Sequence, residues 1–297
     1  MSAPGPSIQI YGAGRIGLAI ASLARRRDVP IAGIWNPRPL RPARARLAEE
    51  LPLTVAPDPR PGPADIWLLA VPDDAIAATG ERLARAVERG DGPRPGCAAH
   101  CAGAHPARLL EPLARTGIAC GSWHPAMTFR GAPDDADALA RAVVAVEGDP
   151  VAVGLLERLS DALGLVRIAV ATGRKADYHA ALVLAANGRF ALDAAAARLL
   201  REAGLDESTA RSVLAPLVER VEDNLRAALP EEALTGPVAR GDAGTVRRQL
   251  AALADRPDLL RLYRALGTVI LAAVPDAVRQ DGHLEVMRLM REDESTC

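Results

Sequence analysis

Short apolar runs alternate with helical periodicity over the first 170 residues of the chain. Between these runs, apolar residues recur every three or four positions, as amphipathic helices require. Residues 65–71 (DIWLLAV) are continuously apolar apart from their first position, which is typical of a parallel strand covered on both faces. This alternation predicts a doubly wound α/β sheet. Strand-like runs begin at Ser7, Ile31, Asp65, Cys97, Gly117, Val143 and Leu165.

The pattern changes near Ala171, and from Lys175 onward only helical periodicity remains. It predicts a long helix over about 176–203, a second from about Ser208 to Leu229, and two or three more after the polar loop 235–244. A chain of 297 residues suits two domains. We therefore expect an α/β domain over residues 1–170 and an all-helical domain over residues 171–297.

A glycine motif of the form GxGxxG connects the first predicted strand to the first predicted helix. In this position the first glycine permits a tight turn, the second lets the backbone approach a pyrophosphate, and the third lets helix and strand pack closely. The motif predicts a dinucleotide-binding Rossmann domain. A glycine-rich turn in a sheet protein without a cofactor is the alternative. The predicted loop residues are Gly12, Ala13, Gly14, Arg15, Ile16 and Gly17.

The end of the second predicted strand distinguishes the two nicotinamide cofactors. NAD enzymes usually carry an acidic residue there, which accepts hydrogen bonds from the ribose 2′-hydroxyl. This chain instead reads Trp-Asn36-Pro-Arg38, followed by Arg41 and Arg44. Arginine binds phosphate well, so the segment favours NADP(H), with Asn36 and Arg38 as binding residues. A solvated helix face is the alternative for the later arginines.

Three polar residues near the start of the long helix are candidates for catalysis. Lys175 and His179 lie four residues apart and share a face, and Asn187 follows two turns later near the same stripe. Beside a cofactor cleft they could protonate a carbonyl or imine as hydride arrives. A structural lysine and a hydrogen-bonded structural histidine are the alternative.

Further histidines follow predicted strands. His124 lies just past a strand end, where open α/β sheets bind ligands, and is a catalytic candidate. His100 also ends a strand but is more easily explained as structural, and His105 and His283 are expected on the surface. Cys97, His100 and Cys101 are close in sequence, yet alternating strand faces prevent their convergence, so we expect no metal site.

Composition limits the classes of function. The net charge is −1, which argues weakly against a protein that mainly holds nucleic acid or an anionic membrane surface. No run of roughly 18 uninterrupted apolar residues occurs, and the N-terminus lacks the pattern of a signal peptide. The four cysteines, Cys97, Cys101, Cys120 and Cys297, form no paired motif. We therefore expect a cytoplasmic protein.

Six segments together resemble a bacterial family of Rossmann-type oxidoreductases with a helical C-terminal domain of unassigned function. That family is related to pyrroline-5-carboxylate reductase, ketopantoate reductase and the 6-phosphogluconate dehydrogenase-like enzymes. The segments extend in order from Ile10 to Asp242, and HPAMTF together with LTGPVARGD is the most specific part. They read YGAGRIG, AVPDDAI, HCAGAH, GSWHPAMTF, KADYHAALVLAANGRFAL and LTGPVARGD.

The resemblance implies NADP(H) binding by the glycine loop and Arg38, with Val71 and Pro72 lining the dinucleotide and Ala102 and Gly103 beside it. It also implies a homodimer built through the helical domain. In related hydroxyacid dehydrogenases a Lys and an Asn four residues later hold and protonate the substrate. Lys175 matches the first of these residues, whereas the second position carries a histidine.

The sequence therefore predicts an NADP(H)-dependent oxidoreductase acting on a small carbonyl, imine or hydroxy compound in an interdomain cleft. Two alternatives stay open. One is a binding or sensing protein that holds NADP(H) without turnover. The other is a ketopantoate-type reductase, for which Arg240 is the candidate ligand of a substrate carboxylate.

Overall fold

A computed structural model describes residues 5–171 and 173–291 of the chain. The described strands are β1 (Ile8–Tyr11), β2 (Ile31–Asn36), β3 (Leu53–Val55), β4 (Ile66–Leu69), β5 (Cys97–His100), β6 (Ala119–Pro125), β7 (Val143–Gly148) and β8 (Val166–Ala169). The described helices are α1 (Arg15–Arg26), α2 (Pro42–Leu47), α3 (Asp73–Glu88), α4 (Glu111–Ala114), α5 (Asp135–Leu139), α6 (Pro150–Leu163), α7 (Lys175–Glu202), α8 (Glu207–Ala227), α9 (Pro230–Ala233), α10 (Ala243–Ala252), α11 (Pro257–Ala273) and α12 (Asp281–Arg291).

The strands form one sheet in the order β3-β2-β1-β4-β5-β6-β7-β8. Neighbouring strands are parallel except β6 and β7, which pair antiparallel. The strand order reverses between β1 and β4, and ligands of open α/β sheets bind outside the carboxyl ends of the strands at such a point. The predicted fold class, a doubly wound Rossmann domain followed by helices, is confirmed.

Two apolar cores cover the two faces of the sheet because successive side chains of a strand point to opposite faces. In β4, Ile66 and Leu68 pack in one core with residues of α1, α5 and α6. Trp67 and Leu69 pack in the other, with residues of α3 and the segment before α4. Residues 65–71 are therefore almost continuously apolar because β4 is covered on both faces, as the sequence pattern indicates.

The structure differs from the sequence prediction at short elements. Strand β3 has three residues and α5 has five, so neither contains enough positions for a periodic signal. The N-cap of α8 is Asp206, whose carboxylate accepts a hydrogen bond from the backbone N–H of Thr209. The helix begins at Glu207, close to the predicted start at about Ser208, but its N-cap is Asp206 and not the predicted Ser208.

Backbone contacts divide the chain into two units, with the division after Gly188 inside α7. The sequence-based boundary after residue 170 follows the end of β8 and stays a prediction. The second unit has its own core, in which Val246, Leu271 and Val286 are buried by residues from α10, α11 and α12.

One predicted surface residue of the second unit is buried. The His283 imidazole has its Nε2 2.9 Å from the carbonyl oxygen of Ala239, and its Nδ1 accepts a hydrogen bond from the backbone N–H of Gln280. His283 therefore fastens the loop before α10 to the start of α12. The sequence prediction of a surface histidine is wrong here, because one of its two partners, Ala239, lies 44 positions away in the sequence and leaves no local signal.

Helix α7 is unusually apolar for its exposure. Its most apolar 18-residue window has a mean hydropathy of 1.3, which by length and composition alone is enough to cross a membrane. None of that window is buried within the chain. A single helix of this kind is weak evidence for a membrane span, because the core helix of a soluble protein passes the same test.

Candidate active site

The glycine loop between β1 and α1 has a geometry that only glycine satisfies at two of its three positions. Gly12 has φ +112°, and a Cβ there would lie 2.6 Å from the carbonyl oxygen of Ala70. A Cβ at Gly17 would overlap the carbonyl oxygen of Gly12. At Gly14 the nearest atom would be 3.8 Å away, so the backbone is open to a ligand at the helix N-terminus.

Asn36 at the end of β2 supports this loop directly. Its side-chain oxygen accepts a hydrogen bond of 3.0 Å from the backbone N–H of Ala13, and its amide donates to the carbonyl oxygen of Arg38. The side chain therefore fixes both the glycine loop and the arginine segment. Seven of the predicted cofactor residues line one cavity of about 910 Å³ at this sheet edge: Gly12, Ala13, Gly14, Asn36, Arg38, Val71 and Pro72.

The same cavity is strongly basic. Arg38, Arg41 and Arg44 line it and make no ion pair with any residue in the described part of the chain. Arg82 of α3 also lines it and pairs with Asp58 at 3.6 Å. The first three are thus available to an anionic ligand, as the absence of an acid after β2 indicates.

Five predicted cofactor residues lie outside the lining of this cavity. Arg15 and Ile16 face away, and the Arg15 guanidinium approaches the carbonyl oxygen of Phe129 at 3.5 Å. Gly17 lies in the first turn of α1 and is buried against the backbone of Gly12, where it sets the distance between helix and loop. Ala102 and Gly103 lie after β5, next to a second cluster of polar side chains. A direct contact of these five residues with a cofactor stays a prediction.

That second cluster consists of His124, Tyr178 and His179. His124 Nδ1 lies 3.2 Å from the Tyr178 hydroxyl, and the His124 ring stands edge-to-face to both neighbours with centroid distances of 5.7 Å. A Cβ at Gly103 would overlap the His179 ring and lie 2.8 Å from His124 Nε2. Glycine is therefore required at position 103, because both imidazoles pack directly against its backbone.

Burial controls the charge of the histidines around this cluster. Desolvation, with a smaller contribution from the nearby positive Lys175, lowers the pKa of His124 to about 4. Desolvation also lowers the pKa of His100 to about 4. His100 Nδ1 accepts from the backbone N–H of Ala102, so its Nε2–H donates to the carbonyl oxygen of Pro106. His100 is thus a structural clasp of the loop after β5, as the sequence favours.

Lys175, the predicted proton donor or anchor, is buried with 2% of its surface exposed. Its ammonium donates a 2.7 Å hydrogen bond to the hydroxyl of Ser122 on β6. Desolvation lowers the pKa of Lys175, and the carboxylate of Glu147 on β7 opposes that shift. Lys175 is therefore a buried cation near His124 and not part of the lining of a ligand cavity.

The predicted residues His124, His179 and Asn187 border one cavity of about 350 Å³. Its walls are otherwise apolar except for Thr128. The chain segment after β6 and the first half of α7 form it, and all of its lining belongs to the first unit. The lining residues are His124, Ala126, Met127, Thr128, His179, Leu182, Val183, Ala185, Ala186 and Asn187.

The sequence prediction missed several residues of the site. Tyr178 precedes a predicted site residue, and only the position of β6 beside α7 reveals its bond to His124. Ser122 and Glu147 both interact with Lys175. They lie opposite each other in the antiparallel pair β6–β7. A strand pairing of this kind leaves no signal in local spacing. Met127 and Thr128 also line the cavity and lie in the HPAMTF segment, which is the sequence signal that points to them as site residues.

The described residues contain no group of three or more His, Cys, Asp or Glu side chains that could hold a metal ion. Cys97, Cys101 and Cys120 are free and buried, and desolvation raises the pKa of each thiol to about 12. These thiols are therefore uncharged and unreactive near neutral pH. Cys297 lies outside the described residues.

Two family models match the chain. Residues 2–125 match a Rossmann-like domain, and residues 142–270 match the domain of unknown function DUF2520. The chain therefore combines a Rossmann-like domain with a DUF2520 domain, and the family resemblance carried by its motifs is confirmed. No curated protein matches the chain by sequence.

Solved structures of similar fold cover nearly the whole chain. A Thermotoga maritima protein has a TM-score of 0.69 and 22% identity, and the match covers 92% of this chain and 100% of that one. A Bacteroides fragilis protein described as a candidate NADP oxidoreductase has a TM-score of 0.72 and 21% identity, covering 90% and 98%. Plasmodium falciparum pyrroline carboxylate reductase with NADP bound has a TM-score of 0.56 and 10% identity, covering 95% and 98%. These likenesses establish a shared fold.

Proposed function

We propose that the protein is an NADP(H)-dependent oxidoreductase that reduces a small carbonyl or imine compound or oxidises the corresponding hydroxy compound or amine. One observation carries the proposal: a basic glycine-loop cavity and a histidine-lined cavity both lie at the carboxyl ends of parallel strands of one sheet. Reductases of similar fold, including one with NADP bound, support it.

The residues of the glycine-loop cavity fit a dinucleotide with a 2′-phosphate. Gly14 leaves room for a pyrophosphate at the N-terminus of α1, and no acid occupies the end of β2. Arg38, Arg41 and Arg44 supply guanidinium groups for the additional phosphate, and none of the three forms an ion pair within the described residues. When bound, the nicotinamide supplies or accepts a hydride at C4.

The histidine cavity supplies the hydrogen-bond and proton chemistry. His124 is neutral near pH 7 because of its lowered pKa, so it orients a carbonyl oxygen or imine nitrogen through a hydrogen bond. His179 borders the same cavity and is only half buried, so it can relay a proton from solvent to that atom, one ring nitrogen donating while the other accepts. Lys175 is a positioning residue, because its bond to Ser122 joins the start of α7 to β6, the strand that carries His124.

NADPH binding and oxidation test this proposal. We expect tighter binding of NADPH than of NADH by titration calorimetry, and loss of that preference when Arg38, Arg41 and Arg44 are changed to alanine together. We expect NADPH oxidation in a screen of keto compounds and cyclic imines, with a decrease of about 100-fold or more in kcat for His124→Asn and His179→Asn. His105→Gln, which removes an accessible histidine, is the matched control.

The outcomes separate the proposal from its alternatives. Tight NADPH binding without turnover of any compound would indicate a binding or sensing protein. Turnover restricted to ketopantoate-like acids and abolished by Arg240→Ala would indicate a ketopantoate-type reductase. Equal binding of NADPH and NADH would contradict the cofactor assignment.

We also propose that two copies associate through the helical unit and that the protein works in the cytoplasm. Four apolar side chains of α8, Val213, Leu217, Val221 and Leu225, recur every four residues and are exposed. A two-fold contact would place this stripe against itself, apolar surface against apolar surface. The three free, buried cysteines suit a reducing compartment.

A further inference from the structure

The lining of the histidine cavity contains no charged side chain among the described residues. Six of its ten residues are aliphatic or thioether side chains: Ala126, Met127, Leu182, Val183, Ala185 and Ala186. The other four carry imidazole, hydroxyl or amide groups. A ligand in this cavity therefore finds hydrogen-bond partners but neither Lys nor Arg.

The cations nearest in sequence are already paired. Lys175 is buried, with its ammonium on the Ser122 hydroxyl. The Arg174 guanidinium pairs with Asp177 at 2.8 Å, and Arg130, which follows the cavity segment after β6, pairs with Asp134 at 2.9 Å. Arg189, two residues after Asn187, pairs with Asp193 at 3.3 Å. None of these four residues lines the cavity.

His124 cannot replace a missing cation. Its lowered pKa keeps the imidazole neutral at neutral pH, and the nearby positive charge of Lys175 opposes protonation. The carboxylate of Glu147 interacts favourably with the Lys175 ammonium and partly compensates its charge within the protein. An anionic group on a ligand would thus lose hydration without gaining the counter-charge of a Lys or Arg in the described lining.

The polar groups that line the cavity are spread along its length. His179 and Asn187 are eight residues apart on α7, which corresponds to a rise of about 12 Å. Leu182, Val183 and Ala186 lie between them. The arrangement matches an elongated ligand. Its reacting polar group would lie beside the histidines and its middle would be apolar, with space for an uncharged polar group near Asn187.

We propose that the substrate of this site is a non-anionic aliphatic carbonyl or imine compound, lacking a carboxylate or phosphate group. The inference rests on the proposed oxidoreductase function, since it names the substrate class of that same site. It separates this protein from reductases whose substrates carry a carboxylate.

Matched pairs of compounds test the proposal with the purified full chain and NADPH. The pairs are 4-oxopentanoate with its methyl ester, and 1-pyrroline-2-carboxylate with 2-methyl-1-pyrroline. We expect kcat/KM to favour the member without a carboxylate by at least about tenfold. An equal or greater kcat/KM for the acids would overturn the proposal.

A binding readout keeps this test separate from the reductase proposal. Met127 lines the cavity, whereas Met287 and Met290 belong to the core of the second unit and serve as internal references. With ¹³C-methyl methionine labelling, we expect the neutral members to shift the Met127 signal at concentrations where the acids do not. If no compound is turned over but this difference appears, the oxidoreductase proposal fails and the ligand class stands. A Met127 shift caused equally by the acids would reject the ligand class.

A substitution that adds the missing cation provides the converse test. Val183→Arg places a guanidinium in the lining, and we expect it to raise the acid-to-ester ratio of kcat/KM by tenfold or more. Ala181→Arg lies on the same helix outside the lining and should leave the ratio unchanged. A ratio that moves equally in both variants would show that long-range charge, and not the cavity lining, excludes anions, and would overturn the proposal.

Discussion

At the scale of single residues, the His124–Tyr178 pair decides which nitrogen of the imidazole carries the hydrogen. Desolvation raises the pKa of Tyr178, so the phenol keeps its proton and can donate to His124 Nδ1. A neutral imidazole that accepts at Nδ1 carries its hydrogen on Nε2. That nitrogen lies against Gly103, so Tyr178 is a positioning residue that makes His124 a hydrogen-bond donor there.

We predict that the Nε2–H tautomer of His124 predominates in the native protein and that Tyr178→Phe reduces its population. The reason is that the phenylalanine removes the donor that occupies Nδ1. Long-range ¹H–¹⁵N NMR spectra measure the tautomer directly, and only five histidines have to be assigned. In the same variant we expect kcat to fall about tenfold with KM little changed. A predominant Nδ1–H tautomer in the native protein would contradict this assignment.

Buried histidines also predict how stability depends on pH. The pKa values of His100 and His124 are lowered from 6.5 to about 4 in the folded state. Between these values the unfolded chain binds more protons, so stability is lost as pH falls from 6.5 to 4 and changes no further through these groups below 4. We expect each histidine to contribute a loss of about 3 kcal/mol over this range, because each pKa unit corresponds to about 1.4 kcal/mol.

Urea unfolding at several pH values measures this effect. His124→Gln should remove about half of the loss that the two buried histidines cause between pH 6.5 and 4. A native protein whose unfolding free energy is constant from pH 6.5 to 4 would show that neither imidazole is protected from protonation.

Sequence reasoning identified the polar residues of the site more readily than their roles. His124, His179 and Asn187 border one cavity, as their positions at a strand end and on one helix face indicated. Lys175 has the predicted position on α7, but its environment comes from Ser122 and Glu147 on two antiparallel strands. The role of such a residue depends on its burial and on partners that are distant in sequence. Neither can be read from the local spacing of residues.

At the scale of elements, the turn from β1 into α1 assigns different functions to its glycines. Gly17 is required for packing, because a side chain there would overlap the backbone of Gly12. Gly14 has a φ of −76° that any residue can adopt, and open space beside it. A methyl group at position 14 would therefore meet the ligand and not the protein.

We predict that Gly14→Ala weakens NADPH binding at least tenfold while changing the free energy of unfolding by less than about 1 kcal/mol. Gly17→Ala should instead destabilise the fold by about 1–3 kcal/mol, because backbone atoms must move to admit the methyl group. Urea unfolding without nucleotide, combined with NADPH titration calorimetry, separates the two effects. Equal destabilisation by both substitutions would refute this division of roles.

Long periodic elements were predictable from the sequence and short or capped ones were not. The continuous apolar character of β4 and the length of α7 are carried by many residues, so tertiary contacts do not override them. Strand β3 depends on pairing with β2 at three positions. The start of α8 depends on whether Asp206 or Ser208 caps the helix, a choice that backbone geometry makes.

At the scale of the whole molecule, apolar surface on α7 and α8 is unexplained within one chain. Phe190 is 69% exposed and Leu217 is 59% exposed. Monomeric soluble proteins seldom expose contiguous apolar stripes of this kind, whereas interfaces between subunits use them. The charged residues that flank the α8 stripe, among them Glu219 and Arg220, are of both signs, which suits contact with a second copy better than with an anionic partner.

We predict that the native protein is a dimer at micromolar concentration and that Leu217→Asp combined with Val221→Asp makes it a monomer. Each carboxylate would be buried without a partner in an apolar interface, at a cost of several kcal/mol, so the dissociation constant should rise at least 100-fold. Light scattering after size-exclusion chromatography measures the mass, and Val151→Asp, at an exposed position in the first unit, is the matched control. A monomeric native protein that floats with phosphatidylcholine vesicles would instead assign the apolar surface to a membrane.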